Sequence, residues 1–309
     1  MPAPERIPAG SVTAAELLAR GELTVRGQIR EASNAVLYCT VAAPDAVASP
    51  DMVAAPGTVV SPGTVAATDG DTGAAGHPVA CVYKPVAGER PLWDFPDGTL
   101  AQREVAAYEV SEALGWGLVP PTVLRDGPYG QGMVQLWIDA PETPDGDGGP
   151  ELLALVDGDE PGDGWKAVGF AAVGEDRTAL LVHADDARLR RLAVLDAVIN
   201  NADRKGGHLV TDATGRLYGI DHGVTFHTEP KLRTLLWGWA GEKLPEDAVA
   251  ALGTLRDALA EGEPLAERLG ELLTEAEVAA TRARVAALLA AGRHPEPSGD
   301  WPAIPWPPV

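Results

Sequence analysis

Residues 185–227 leave this chain few ways to fold. "DDARLRRLAVLDAVINN" (185–201) carries Leu189, Leu192, Leu195 and Ile199 along one stripe, the spacing of a helix with a buried face, capped by Asp185 or Asp186. It runs without a spacer into "ADRKGGH", a loop of charges and glycines. Next comes "LVTDATGRLYGIDHG", whose two short strand-like runs flank a turn carried by "DATG". A packed helix thus delivers Asp203, Lys205 and His208 to one place, and a hairpin brings back Asp221 and His222. A plain surface loop needs no such mixture.

The elements around this core fall in a definite order. "LTVRGQIREASNAVLYCTVAA" (23–43) predicts two strands around a short "ASN" turn. Residues 44–76, rich in Pro, Gly, Ser, Thr and Ala, cannot bury enough apolar surface to offset their ordering entropy, and are expected to be a flexible insertion. "HPVACVYKP" is a third strand ending at Lys84. "TLAQREVAAYEVSEALGW" predicts a helix over 99–116, capped by Thr99, with Leu100, Val105, Tyr108 and Leu114 on one side. Two more strands follow within 117–139. Residues 141–165 hold eight acids and no base, and are expected to be a linker or surface loop. Beyond it the chain is expected to be mostly helical, with helices at about 246–262 and 274–291. The second of these opens on Thr274 and Glu277 in capping-box spacing.

The expected organisation is therefore α+β with two lobes. An N-lobe (1–140) has a small antiparallel sheet with one helix, the acidic linker (141–165) follows, and a mainly helical C-lobe (166–309) completes the chain. Two cysteines, Cys39 and Cys81, offer no disulfide framework and are expected to be buried thiols. No basic, apolar leader opens the chain and no apolar run reaches the length of a membrane span, so a cytoplasmic protein without stable membrane association is expected.

A net charge of −21 argues against nucleic acid and against docking on an anionic membrane surface. The charge is uneven. Residues 187–233 hold eight Lys/Arg against five Asp/Glu, a locally positive island compatible with a bound phosphate.

Strand with Lys, helix with Glu, two strands, linker, helix, Asp loop, hairpin ending in Asp: phosphoryl transfer in the kinase fold uses this set of parts. Lys84 would hold the α/β-phosphates and Glu104 would orient it, with Glu109 or Glu112 competing for that role. Asp203 would take the acceptor hydroxyl's proton. His208, five positions on, and Asp221 would hold a divalent metal. The transition state is dominated by phosphate charge, so the site consists of cations and of carboxylates that hold cations.

"NNADRKGGHLV" followed by "YGIDHGVTF" resembles the catalytic and metal-binding loops of phosphatidylinositol 3/4-kinases, D-R-x-x-x-N and I-D-x-G-x-x-F. It is also similar to HipA-type serine kinases. "SNA", "YKP", "GERPLWDFPDGTLAQREVAAY" and "VPPTVLRDGP" are similar to an actinobacterial branch labelled phosphatidylinositol-kinase-like. The resemblance covers nearly the whole chain apart from the insertion and the linker. It implies a two-lobed protein-kinase-like fold and ATP with magnesium, or manganese in its place. It also implies transfer to a hydroxyl acceptor, with Asp203, Asp221, Lys84 and Glu104 matching the functional positions.

Two departures stand out. His208 occupies the position expected to be Asn, and imidazole is a softer ligand than an amide oxygen. "REASNAV" lacks a G-x-G-x-x-G, leaving backbone amides near Ser33 and Asn34 to cover the phosphates. Gln135, Leu136, Trp137 and Ile138 are expected to line the adenine edge. Each residue has a plainer reading alone: Lys84 snorkelling at a strand end, Glu104 on a solvated helix face, Asp203 and Asp221 in turns. The lipid-kinase motif does not extend to the acceptor, for which a protein or a soluble small molecule suits the acidic chain better. Three rivals stay open: a nucleotide-binding pseudokinase, transfer of AMP to protein on the same fold, and a metal-dependent hydrolase built on Asp203, His208, Asp221, His222 and His227.

Overall fold

A computed structural model describes residues 13–29, 34–43, 78–90, 92, 94–95, 99–140, 152–172 and 177–307. The insertion at 44–76, Ser33 and residues 141–151 lie outside the described residues. The chain divides into two compact units, Met1–Leu92 with Pro121–Trp137 and Trp93–Pro120 with Ile138–Val309. The architecture is α+β, with an antiparallel sheet in the N-terminal region and a mainly helical C-terminal region.

The first unit opens on a helix, α1 (Ala14–Arg20), that sequence reading missed. Thr13 and Glu16 form a capping box, each accepting the other's backbone N–H. At the other end Arg125 donates to the carbonyls of Leu18 and Gly21, both at 2.8 Å, satisfying groups a helix C-terminus leaves bare. β1 (Glu22–Ile29), β2 (Val36–Ala42), β3 (Val79–Pro85), β4 (Thr122–Gly127) and β5 (Gly130–Leu136) form one antiparallel sheet in the order β1-β2-β3-β5-β4. Strand alternation sends Cys39, Val41, Cys81, Tyr83 and Val134 to the face that packs on Leu18. Cys39 and Cys81 are register partners, buried and free as expected, and burial pushes both thiols up to about 12.

The second unit contains α2 (Leu100–Ala113), standing where a helix was expected at 99–116. Thr99 occupies its N-cap position without capping the backbone; its hydroxyl accepts from Arg103 Nε at 3.1 Å. β6 (Leu153–Val156), β7 (Trp165–Ala172) and β8 (Thr178–Ala184) make a second antiparallel sheet, order β6-β8-β7. The stretch read as acidic linker thus gives a strand to this sheet. α3 (Ala187–Ile199) follows, capped by Asp186, and its predicted stripe of Leu189, Leu192, Leu195 and Ile199 is fully buried. β9 (Leu209–Thr211) and β10 (Leu217–Gly219) form the expected hairpin, closed by Asp212 accepting from the amides of Thr214 and Arg216.

α4 (Glu246–Ala258), α5 (Pro264–Leu272) and α6 (Glu275–Ala291) complete the fold. α6 begins on the predicted Thr274/Glu277 capping box and ends on Gly292, left-handed at φ 59°. Among the described residues no helix is long and apolar enough to cross a membrane.

Candidate active site

The site grows from the C-terminus of α3. Asn200 ends the helix in the left-handed region, φ 54°, and its side chain binds three backbone groups: it donates to the carbonyls of His227 and Glu229 and accepts from Lys231 N–H. Asn201 Nδ2 donates to Asp196, and Asn201 Oδ1 accepts the Asp203 amide at 3.0 Å. Asp203 is thus set by a chain of hydrogen bonds that starts inside the helix.

Arg204, fully buried, is the central tie. It donates to both carboxylate oxygens of the equally buried Asp196 at 2.9–3.2 Å. It also donates to the Ile220 carbonyl at 2.9 Å, with the His208 carbonyl at 3.5 Å, and its Nη2 lies 2.6 Å from His222 Nε2. A guanidinium has only donors, so that ring nitrogen accepts and His222 carries its proton on Nδ1, facing Glu104 Oε2 at 3.9 Å. One side chain therefore holds the 203–208 loop and the 220–222 segment together. Gly219 lies against this tie: a Cβ there would come 2.9 Å from Leu192 Cδ1 and 3.2 Å from Arg204 Nη2.

α2 holds the same segment from another side. Glu104, buried, accepts the His222 amide at 2.8 Å, one residue past Asp221. Its neighbour Arg103 donates to the Thr225 carbonyl and to Glu277. Of the three acids considered on α2, Glu104 alone is buried; Glu109 pairs with Arg268 at 3.3 Å and Glu112 is exposed. The solvated-face reading of Glu104 is thereby replaced. On either side of these anchors the backbone is strained: Asp221 at φ 61° and Phe226 at φ 63° are left-handed, which is costly for a buried aromatic residue.

Asp203 and Asp221 keep accessible side chains. Lys205 Nζ lies 3.1 Å from Asp203 Oδ2, and Arg233 Nη2 lies 3.9 Å from Oδ1. His208 Nε2 lies 3.4 Å from Asp221 Oδ2, while its Nδ1 accepts the Lys205 amide at 3.4 Å. Burial pushes the His208 imidazole below its usual range, against the pull of Asp221. A neutral ring accepting at Nδ1 carries its proton on Nε2, toward Asp221.

Among the described residues, no group of three or more His, Cys, Asp or Glu side chains is gathered to hold a metal ion. The half-exposed Asp221 carboxylate is a donor of the type a hard divalent cation takes. His208 fits beside it once its proton moves to Nδ1, at the expense of the long bond from Lys205.

The remaining candidates belong to the first unit, apart from Ile138. β3 carries Lys84, half-buried, opposite Met133 of β5. Asn34 Oδ1 accepts the Arg90 amide at 3.0 Å, and Ala35 donates to Gly88, so the residues just before β2 are fastened to the loop that follows Lys84. Gln135 is tied to Thr122 at 2.8 Å. The amides of Leu136 and Trp137 donate to the carbonyls of Pro121 and Ala80, which leaves neither N–H for an adenine edge.

The chain is 46% identical to Protein Rv2133c of Mycobacterium tuberculosis (strain ATCC 25618 / H37Rv) over 294 residues, 94% of each. It belongs to the Rv2133c family. No protein-family model matches it. Among solved structures, hydra Fam20 with sugar aligns over 90% of this Rv2133c-family chain and 86% of its own, at 12% identity and a TM-score of 0.47. The Golgi casein kinase with Mn/ADP bound aligns over 89% and 73%, at 12% identity and 0.46. Both scores lie under 0.5, too low to define a shared fold.

Sequence reading assigned no role to three residues that build this Rv2133c-family site, Arg103, Asp196 and Arg204, and missed the role of His222. Asp196 had a visible signal. It sits four residues after Leu192 and seven after Leu189, a charge on the apolar stripe.

Proposed function

We propose that the chain is an ATP-dependent phosphotransferase of the kinase type, moving the γ-phosphate to a hydroxyl acceptor on a protein or a soluble small molecule. The observation that supports it is the double grip of Arg204, which keeps the Asp203 loop and the Asp221 segment side by side. A structural turn has no need of two carboxylates held that way by a buried cation, an amide-binding glutamate and strained backbone.

Asp203 orients the acceptor hydroxyl and takes its proton as the oxygen bonds to the γ-phosphorus and the bond to ADP breaks. Lys205 and Arg233 flank that carboxylate and oppose the negative charge arriving on the phosphate. Lys84 supplies an ammonium for the α/β-phosphates, and Glu104 keeps the carboxylate role proposed for it. A magnesium or manganese ion held by Asp221, with His208, would neutralise phosphate charge. Ser33, Asn34 and residues 135–138 remain the proposed nucleotide contacts, with carbonyls and side chains taking the place of the spent amides.

Asp203→Asn is expected to lower turnover by about 10²–10⁴-fold, the scale for losing a positioned base, with nucleotide affinity nearly unchanged. Full activity in that variant removes Asp203 from the mechanism. Asp221→Asn is expected to weaken metal-dependent ATP binding by calorimetry.

One observation favours a second reading, nucleotide binding without transfer. As hydrogen-bonded here, His208 presents an N–H to Asp221 in place of a lone pair. ATP binding with no turnover in either magnesium or manganese would select it.

A further inference from the structure

We propose that Arg233 is the docking point for an anionic group, carboxylate or phosphate, on the acceptor, and that the C-terminal segment around Trp301 holds it ready. The inference rests on the reading that Asp203 faces the acceptor.

Arg233 is fixed on several sides. Its amide donates to the Asn201 carbonyl at 2.8 Å and its own carbonyl accepts from Arg204 at 3.0 Å. Its Nε donates to the Ala202 carbonyl at 2.7 Å, and its guanidinium carbon lies 5.8 Å from the Trp301 ring centroid. The next residues are fastened as well: the Ala303 carbonyl accepts from the Thr234 amide at 3.0 Å and from Trp237 Nε1 at 2.8 Å. The same Trp301 ring lies 4.4 Å from Lys231 Nζ.

The guanidinium held in this way has little to do within the fold. Among the described residues its Nη1 and Nη2 make no hydrogen bond, and the 3.9 Å approach to Asp203 is too long for one. A partly exposed pair at that separation contributes little, so positioning Asp203 is a weak reason for so much support.

The other nearby bases are answered. Arg204 is buried against Asp196, and Lys231, 4% exposed, pairs with Asp94 at 3.2 Å. Asp203 faces two cations, Lys205 and Arg233, whose side chains are 24% and 28% exposed. Lys205 lies nearer that carboxylate, 3.1 Å against 3.9 Å, which leaves the Arg233 fork the less neutralised of the two. A planar fork with both Nη groups available is matched to the two oxygens of a carboxylate or phosphate.

The test is calorimetric titration with inorganic phosphate and, in a second arm, succinate, on the parent, Arg233→Gln, Trp301→Ala, Asp203→Asn and Lys84→Met. Arg233→Gln is expected to weaken anion binding about tenfold or more, the scale of charged hydrogen bonds. Trp301→Ala is expected to weaken it less, and Asp203→Asn, which removes the competing carboxylate, to strengthen it. The component lost in Arg233→Gln is expected to survive in Lys84→Met. Preference for phosphate points to a phosphorylated acceptor, and preference for succinate to an acidic one. Equal binding in parent and Arg233→Gln overturns the proposal. Phosphate held by Arg233 in a chain that never binds ATP would instead overturn the phosphotransferase reading and, with it, the acceptor, leaving only an anion site at Arg233.

Discussion

Asp196→Ala probes the centre of the molecule's polar interior. Asp196 and Arg204 are both fully buried, joined at 2.9–3.2 Å, and the substitution leaves the guanidinium without its countercharge. Removing one partner of a buried pair costs about 3–5 kcal/mol, since water cannot reach the orphaned charge. The unit concerned has about 200 residues, so at ~2.1 cal/mol/K per residue the melting temperature should fall by about 7–12 °C. Asp196→Asn keeps an acceptor and should fall by less. The double variant Asp196→Leu with Arg204→Met removes both charges and should cost clearly less than the two single changes summed. Differential scanning calorimetry on the parent and these variants at one pH decides it. An Asp196→Ala protein melting within about 2 °C of the parent, or strict additivity in the cycle, would refute the account of Arg204 as a buried, singly compensated cation.

Burial, followed by the neighbouring Arg190, pushes the His294 imidazole down to about 4. The unfolded chain therefore takes up the proton first, and stability should decline from about pH 6.5 to about pH 4, by at most about 3 kcal/mol from this group, with a shallower slope in His294→Gln. Cys39 and Cys81, buried and pushed up to about 12, should resist a disulfide reagent at pH 8 in the native protein and react fully in denaturant. Thr274→Ala removes the hydroxyl that accepts Glu277 N–H at the start of α6, and should cost about 1 kcal/mol in denaturant unfolding.

Where local pattern and tertiary demand agree, the elements were readable. The apolar stripe of α3 is buried at each predicted position, and the capping box of α6 starts the helix where its spacing says. The loop carrying Asp203, Lys205 and His208 was legible because glycines and charges interrupt an apolar helix abruptly. Other parts were hidden for separate reasons. α1 advertises itself in Thr13 and Glu16, but seven residues make too short a periodic run to stand out. β6 has four residues and follows an acidic stretch, so it lacks a strand's alternation. Glu104, Arg103 and Arg204 are charged residues that local statistics send to solvent, and only partners far along the chain make their burial affordable. The spent amides of Leu136 and Trp137 reflect pairing with Pro121 and Ala80, which no window around 135–138 contains.

The neighbourhood of Asp203 is assembled from across the sequence: Asn201 and Asp196 behind it, Arg233 beside it, and, through His222, Glu104 on a helix a hundred positions earlier. Short signatures spelling out the two loops would retrieve chains that share the letters and lack the scaffold. Grafting those loops into a host without counterparts of Asp196 and Glu104 should yield a tethered but misaligned pair of acids. A useful family fingerprint would have to pair each loop with its distant support.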